Sequence, residues 1–409
     1  MKKFLFLILV TIYLFSTEVS FCQNAWNPVN TATTTSLFSL NFPSSQLGWV
    51  VGQDGLIMKT TDGGNTWNTQ ASNVLNSLYG CYFPTIFTGW AVGWDGKILK
   101  TSDGGSTWAS QVSGTTNYLN SIYLFSATHG FIVGENGTIL KTMDGGANWT
   151  VVTSNTTMIL YMIYFITPTT GIIVGQGGRI LKTNDGGNTW VIKNSGINDD
   201  LFTMHFIDAN NGFAAGDMGK IIKTTDGGES WTNITTPNTT IIGTIWFTNQ
   251  SKGWAAQMDG NILYTNDGGN NWISDTSLGF QAMWSCFFTS QDTGFMAGND
   301  GKMYKTTNGG TLAIDDNIQL SKDNINVYIF PNPINVEAEI DYYLTSETSC
   351  LINLCDMNGK QVFCLTNEVK GKGKHQLRFN TEKFENGVYF IELITETQNI
   401  MKKIIISHK

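Results

Sequence analysis

Arginine is nearly absent from this chain: Arg179 and Arg378 are the only two among 409 residues. A site that grips carboxylate or phosphate with guanidinium forks has little to draw on, and lysine does not reproduce that bidentate geometry. Charged residues of either sign make up 14%, and the balance is −8. That leaves no electrostatic case for nucleic acid or for an anionic membrane surface. The four histidines, His129, His205, His375 and His408, are scattered without metal-ligand spacing, and no Ser/His/Asp or Cys/His constellation can be assembled. No metal or other cofactor is therefore expected. Setting Cys22 aside leaves five cysteines, an odd number that does not make a full disulfide framework. What is abundant is glycine (44 residues) and aromatic side chains (12%), a composition that suits a β-rich globular protein.

Long apolar runs are missing except near the start, where Met1-Lys2-Lys3 precedes an apolar stretch over residues 4–15 and a more polar stretch over 16–23. This pattern predicts a secretory signal peptide over residues 1–22, too short to favour a spanning helix, with no transmembrane segment once it is cleaved. Val19-Ser20-Phe21-Cys22 also resembles a lipoprotein box, from which the bulky Phe21 departs.

From there one beat organises the sequence. Trp67, Trp108, Trp149, Trp190, Trp231 and Trp272 are each 41 residues apart, and Gly48, Gly89, Gly130, Gly171, Gly212, Gly253 and Gly294 keep the same spacing. Seven copies without insertion or deletion, at a period between 40 and 50, mark a propeller or a solenoid. Each Trp closes a Thr-x-Asp-Gly-Gly stretch whose acid is Asp62, Asp103, Asp144, Asp185, Asp226 or Asp267. Glycine takes positive φ freely, and an Asp can accept backbone N–H groups ahead of it, so these acids and the tryptophans over them are expected to build turns, not active sites.

Within a copy, an apolar strand (residues 78–83), a turn to Gly89, strands over 90–93 and 97–101 and a fourth from Trp108 make one four-stranded blade. Leu37, Leu78, Leu119, Leu160, Leu201, Ile242 and Met283 recur at one position and should pack between blades. Cys81 and Cys286 share another position and are expected as core residues. The seventh copy stops at its turn, with Ala313 in the Trp position, while Trp26 heads an orphan strand 41 residues before Trp67. Lending that strand to the last blade closes a ring and leaves no sheet edge, so an all-β seven-bladed propeller is expected over residues 23–312.

The Thr-x-Asp-Gly-Gly-x-Thr-Trp stretch resembles the Asp-box, or bacterial neuraminidase repeat. Together with Gly-Trp-Ala-Val-Gly-x-Asp-Gly-x-Ile-Leu-Lys at 89–100 it is similar to the photosystem II assembly and stability factor propellers. That resemblance implies a binding or assembly module. Photosynthetic members carry an arginine patch, whereas this propeller has only Arg179, a departure that weighs against a photosystem-like partner. Other Asp-box families are hydrolases. Sialidases need an arginine triad, which one Arg cannot supply, and xyloglucan-cleaving relatives place two carboxylates across a cleft between two propellers, where this chain has one.

The loops between second and third strands carry Asp54, Asp95, Glu135, Asp217, Asp259 and Asp300, each one or two residues before a turn Gly. Strand counting puts them on the face opposite the Asp-boxes. On that face Phe38, Tyr79, Tyr161, Phe202 and Trp284 crowd the start of the inner strands, Trp94 sits on one turn and Asp199-Asp200 on another. Rings with acids suit a carbohydrate or peptide ligand, and packing against the next blade is the alternative fate of the rings. A glycoside hydrolase using two of the loop acids is the alternative function. A structural surface protein without a small ligand is the third.

Beyond Gly310 the beat stops. Residues 313–325 have linker composition, and 326–409 read as a small β-sandwich of six or seven strands. Its Pro331-Asn332-Pro333 segment, Asn358-Gly359 hairpin, Gly387-Val388-Tyr389 strand and basic end resemble the type A sorting domain of the type IX secretion system of Bacteroidetes. That implies the type IX machinery as a partner and passage through the periplasm to the cell surface or beyond. A turn at 358–359 would set Cys355 opposite Val362 and diagonal to Cys364, too far for an easy disulfide.

Overall fold

The computed structural model describes residues 26–275, 282–310, 326–330, 334–344, 346–356, 360–396 and 398–408. The expected signal peptide with Cys22, the linker at 313–325 with Ala313, the Pro331-Asn332-Pro333 segment and the Asn358-Gly359 turn lie outside the described residues. Two compact units divide the chain, residues 1–314 and 315–409.

The first unit is built from seven four-stranded antiparallel sheets. In the first blade the strands are Leu37–Asn41, Gly48–Gly52, Ile57–Thr60 and Asn68–Gln70, and the other blades repeat them at 41-residue steps. The second strand is buried along its whole length, as its sequence Gly-Trp-Val-Val-Gly requires. The outermost strand is short and partly exposed, which limits the pairing edge that each blade presents.

Ring closure uses the orphan strand. Asn27–Val29 pairs antiparallel with Met303–Thr306, setting Asn27 opposite Lys305 and Val29 opposite Met303. Just ahead of it, Trp26 is 1% exposed and meets Trp254 and Phe288 edge-on, at 6.4 and 5.7 Å between centroids. It stands where the seventh blade's own Trp would be. Leu37, Leu78, Leu119, Leu160, Leu201, Ile242 and Met283 are wholly buried between blades. Cys81 and Cys286 are buried free thiols, and burial pushes Cys81 up to about 12, so neither forms a thiolate near neutrality.

Every inner strand carries a register shift after its first residue: Leu37 pairs with Gly52 but Ser39 with Val51, and the same skip recurs in all seven blades. The skipped residues are Phe38, Tyr79, Asn120, Tyr161, Phe202, Gly243 and Trp284. A bulge of this kind re-aims the extra side chain. The next residue stitches blade to blade: Ser39 Oγ accepts the Cys81 N–H at 3.3 Å, Thr203 Oγ1 that of Ile245 at 3.3 Å, and Ser285 Oγ that of Leu40 at 3.0 Å across the closure.

The second unit pairs a three-stranded sheet (Asn326–Phe330, Glu337–Leu344, Gly373–Asn380) with a four-stranded one in the order Gln361–Lys370, Thr348–Cys355, Gly387–Ile394, Asn399–Ile406. Ala338, Ile340 and Leu344 of one sheet and Ile352, Leu354, Ile391, Leu393 and Ile404 of the other fill a single core. The expected pairing of Cys355 with Val362 is corrected: Cys355 lies opposite Gln361 and Cys364 opposite Asn353. The irregularity at Leu354/Cys355 shifts the partner of Cys355, which even counting from a turn cannot anticipate, while Cys364 stands where that counting puts it. All three cysteines of this unit are free.

Candidate functional site

On the Asp-box face the side chains bond within their own turns. Asp62 Oδ1 accepts the N–H groups of Asn65 and Thr66 at 3.0 and 2.9 Å and the Thr60 hydroxyl at 2.8 Å, while Oδ2 takes the Thr66 hydroxyl at 2.7 Å. Asp103, Asp144, Asp185, Asp226 and Asp267 repeat the pattern with Thr107, Asn148, Thr189, Ser230 and Asn271. These bonds, the Thr66 N–H first, hold Asp62 at about 2 although it is exposed, and Asp103, Asp144, Asp185 and Asp226 are drawn down alike. Trp67, Trp108, Trp190, Trp231 and Trp272 are buried, each edge-on to a phenylalanine of its own blade, as Trp67 is to Phe42 at 5.8 Å. Trp149 is only partly buried, and Leu124 stands in its blade where the others have phenylalanine.

The same face links the blades. Lys59 Nζ donates to the Gly104 carbonyl in the next blade's box at 2.8 Å, Lys100 to Gly145, Lys223 to Gly268, and Lys305 to Gly63 across the closure. Lys182, at the same position in the fourth blade, pairs instead with Glu229 at 2.7 Å. Acids and bases here are committed to holding the ring together.

The opposite face carries turns at Gln53–Gly55, Trp94–Gly96, Glu135–Gly137, Gln176–Gly178, Asp217–Gly219 and Asn299–Gly301. They bond to the loops between blades, as Trp94 N–H does to the Ser77 carbonyl at 2.9 Å. Asp54, Asp95 and Asp300 occupy the left-handed middle position of their turns, with φ of 54°, 58° and 54°. Glu135 and Asp217 stand at the first position, where Glu135 accepts the Tyr118 N–H at 3.1 Å and Asp217 the Met218 N–H at 2.8 Å. The sixth blade departs: Gln257 replaces the strand-ending glycine, and Asp259 is tied to Thr240 and Asn261.

The bulge side chains gather where this face meets the ring axis. Trp284, Phe38, Tyr79, Tyr118 and Trp94 form an unbroken run of ring contacts, at 6.2, 5.6, 6.3 and 5.7 Å between successive centroids. Trp94 is 48% and Trp284 40% exposed. Further round, Tyr161 packs on Phe202 at 4.9 Å and donates its hydroxyl to Asp200 at 3.0 Å. Burial and then the Asp200 carboxylate push that phenol well above its ordinary range. Tyr118 joins this arc although its sequence position outside the inner strands gave no reason to pick it out. The two other bulge positions hold no ring: Asn120 bonds to the Leu160 carbonyl, and at Gly243 the Met258 methyl fills the space a side chain would take.

The seven bulge residues, though not Tyr118, Trp94 or Asp200, line a cavity of about 630 Å³ along the axis. Its waist holds mostly small residues, Ser39, Gly80, Ser121 and Thr203, with Met162 on the same level, and its Asp-box end is a second aromatic girdle of Tyr82, Tyr123, Tyr164, His205, Trp246 and Phe287. Neighbours in it touch, as Tyr82 does Tyr123 at 5.1 Å and His205 does Trp246 at 4.4 Å. His205 Nδ1 accepts the Phe247 N–H at 3.3 Å, so its proton is on Nε2, and burial pulls its pKa down to about 4, leaving it neutral. Sequence reasoning missed this girdle and treated His205 as isolated. The signal was present, since all six residues share one position of the 41-residue repeat.

Among the described residues no group of three His, Cys, Asp or Glu side chains could hold a metal ion, and no helix is long and apolar enough to cross a membrane.

Comparison with known proteins adds two family matches. The profile of photosynthesis system II assembly factor YCF48 matches residues 19–113, 73–158 and 147–244. That of the secretion system C-terminal sorting domain matches residues 328–407. Among solved structures, YCF48 bound to D1 peptide is similar at 22% identity and a TM-score of 0.62, over 69% of this chain and 97% of that one. YCF48 from Cyanidioschyzon merolae is similar at 21% and 0.61, over 69% and 98%. The WD40 repeats of RRP9 follow at 8% and 0.58, over 69% and 97%, a likeness of fold alone. A comparison with curated protein sequences found no match.

Proposed function

The chain belongs to the photosynthesis system II assembly factor YCF48 family and carries a sorting domain of the type IX secretion kind, and from these premises we propose a secreted or cell-surface binding module whose propeller holds a polypeptide at the loop-side mouth of its axial cavity. Residues 1–22 act as its signal peptide into the periplasm, and the tail hands the protein to the type IX machinery for passage across the outer membrane of a Bacteroidetes cell.

The observation that carries the reading is the partly exposed aromatic run from Trp284 to Trp94. Exposed rings beside a cavity supply rigid contact area of the kind that dominates binding energy. The relative bound to D1 peptide lends weight to a polypeptide over a sugar. The hydrolase alternative has less support, because Glu135, Asp217 and Asp259 are engaged in their own loops and Asp54, Asp95 and Asp300 are turn formers.

The test is a screen of the protein, with both units present, against peptide and glycan arrays, using Trp94→Ala and Trp284→Ala as controls. Peptide binding that weakens at least tenfold in both variants supports the reading. Glycan turnover abolished by a loop Asp→Asn change would replace it with the hydrolase, and binding that ignores both tryptophans would return the rings to packing. Export has its own test: removing residues 326–409 should strand the propeller in the periplasm, and unchanged secretion would refute the sorting role.

A further inference from the structure

The mouth is one-sided in charge as well as aromatic. No lysine or arginine lines the cavity, and its one histidine is neutral. No carboxylate lines it either, but three flank the rings at its mouth. Asp200 takes the Tyr161 hydroxyl on one oxygen and the Gly177 N–H on the other, at 3.0 and 2.8 Å. Glu135 accepts the backbone N–H of Tyr118, the ring that bridges Tyr79 to Trp94. Asp217 is next to Asp200, its backbone N–H donating to the Asp200 carbonyl at 2.8 Å. None of the three takes part in an ion pair among the described residues.

Most of the propeller's basic residues are elsewhere. Lys59, Lys100, Lys223 and Lys305 are fastened to Asp-box carbonyls on the opposite face, and Lys182 to Glu229. Lys97, Arg179, Lys220 and Lys302 do sit on the loop side, but at the far end of each turn, where the third strand begins. Carboxylates without a cation, set among rings whose faces attract cations, define the chemistry of what would complete them.

We propose that the segment held at this mouth is cationic, its lysine or arginine side chains seated against the mouth's rings and balanced by Glu135, Asp200 and Asp217. This rests on the reading of the mouth as a polypeptide site and adds the charge of the ligand. A partner of that kind is the reverse of what an arginine-lined surface would select.

Calorimetric titration of the protein, with both units present, would use three probes at 50 and 300 mM salt: a Lys-rich decapeptide, its side-chain-acetylated form and a Glu-rich decapeptide. The Lys-rich peptide should bind, acetylation should weaken it at least tenfold, and the Glu-rich peptide should not bind. Asp200→Asn and Glu135→Gln should each weaken it about threefold or more, and Trp94→Ala should weaken it without any change of charge. Asp292→Asn removes the same charge from a loop on the Asp-box side and should have no effect. An equal loss in Asp292→Asn would mean attraction to net charge only and would overturn the proposal. Equal binding of all three peptides, lost in Trp284→Ala, would overturn it too while leaving the mouth a polypeptide site. Binding of none removes the cation, and the array screen then decides the wider reading separately.

Discussion

The two faces of the ring come from the same 41-residue unit, yet they use their side chains in opposite ways. On the Asp-box face the box acids and the lysines beside them are bonded within their turn or to the neighbouring blade, as Asp62, Lys59 and Lys305 are. On the loop face the same positions differ from blade to blade, and Trp94 and Trp284 remain exposed. The lesson is a division of labour along each strand pair: one end carries closure and stability, which leaves the other end free to vary.

The two faces should differ most in stability at Trp26. Trp26→Ala removes a fully buried ring at the closure, and should cost about 3–5 kcal/mol, seen as a melting temperature lower by roughly 10 °C. An unchanged melt would break the claim that the Asp-box side carries closure. Gly187 is next. Its φ is 78°, and a Cβ there would lie 2.4 Å from the Phe131 ring of the preceding blade. Gly187→Ala should therefore cost about 2–4 kcal/mol in chemical denaturation, combining left-handed strain with overpacking.

A smaller effect follows from the box acids. Their folded pKa values near 2 lie below those of the unfolded chain, so their contribution is present above about pH 4 and is lost as pH falls towards 2. Melting temperature should decline across that window, and Asp103→Asn should lower stability at pH 7 while flattening the decline. On the loop face Trp94→Ala should shift stability by no more than about 0.5 kcal/mol. A larger shift would show the two faces to be less distinct than the hydrogen bonding implies.

Much of this architecture could be read from spacing alone. Identical residues at identical steps, such as Gly48 and Trp67 with their equivalents, report a shared backbone need, and the orphan Trp26 reported the closure. The bulge rings Phe38, Tyr79 and Trp284 were visible because they cluster beside the strand-starting leucines. The Asp-box girdle was not, because Tyr82, His205, Trp246 and Phe287 differ in kind, and only alignment of the copies puts them on one level of the cavity. Tyr118 was hidden for another reason: it lies in a loop, and nothing in its neighbours marks it as the ring that joins Tyr79 to Trp94. In the second unit an irregularity between Leu354 and Cys355 misplaced the partner of Cys355 alone, since Leu354 still faces Phe363.

The closure also sets a clock. Residues 27–29 are made among the first of the propeller, and their partners at 303–306 among the last, 274 residues later. At about 5–20 residues per second, that interval is roughly 14–55 s. For that time Trp26 has no seventh blade to enter, and the nascent propeller is an open arc with two unmatched ends. Whatever carries the chain during synthesis or export must tolerate, or shelter, that waiting strand.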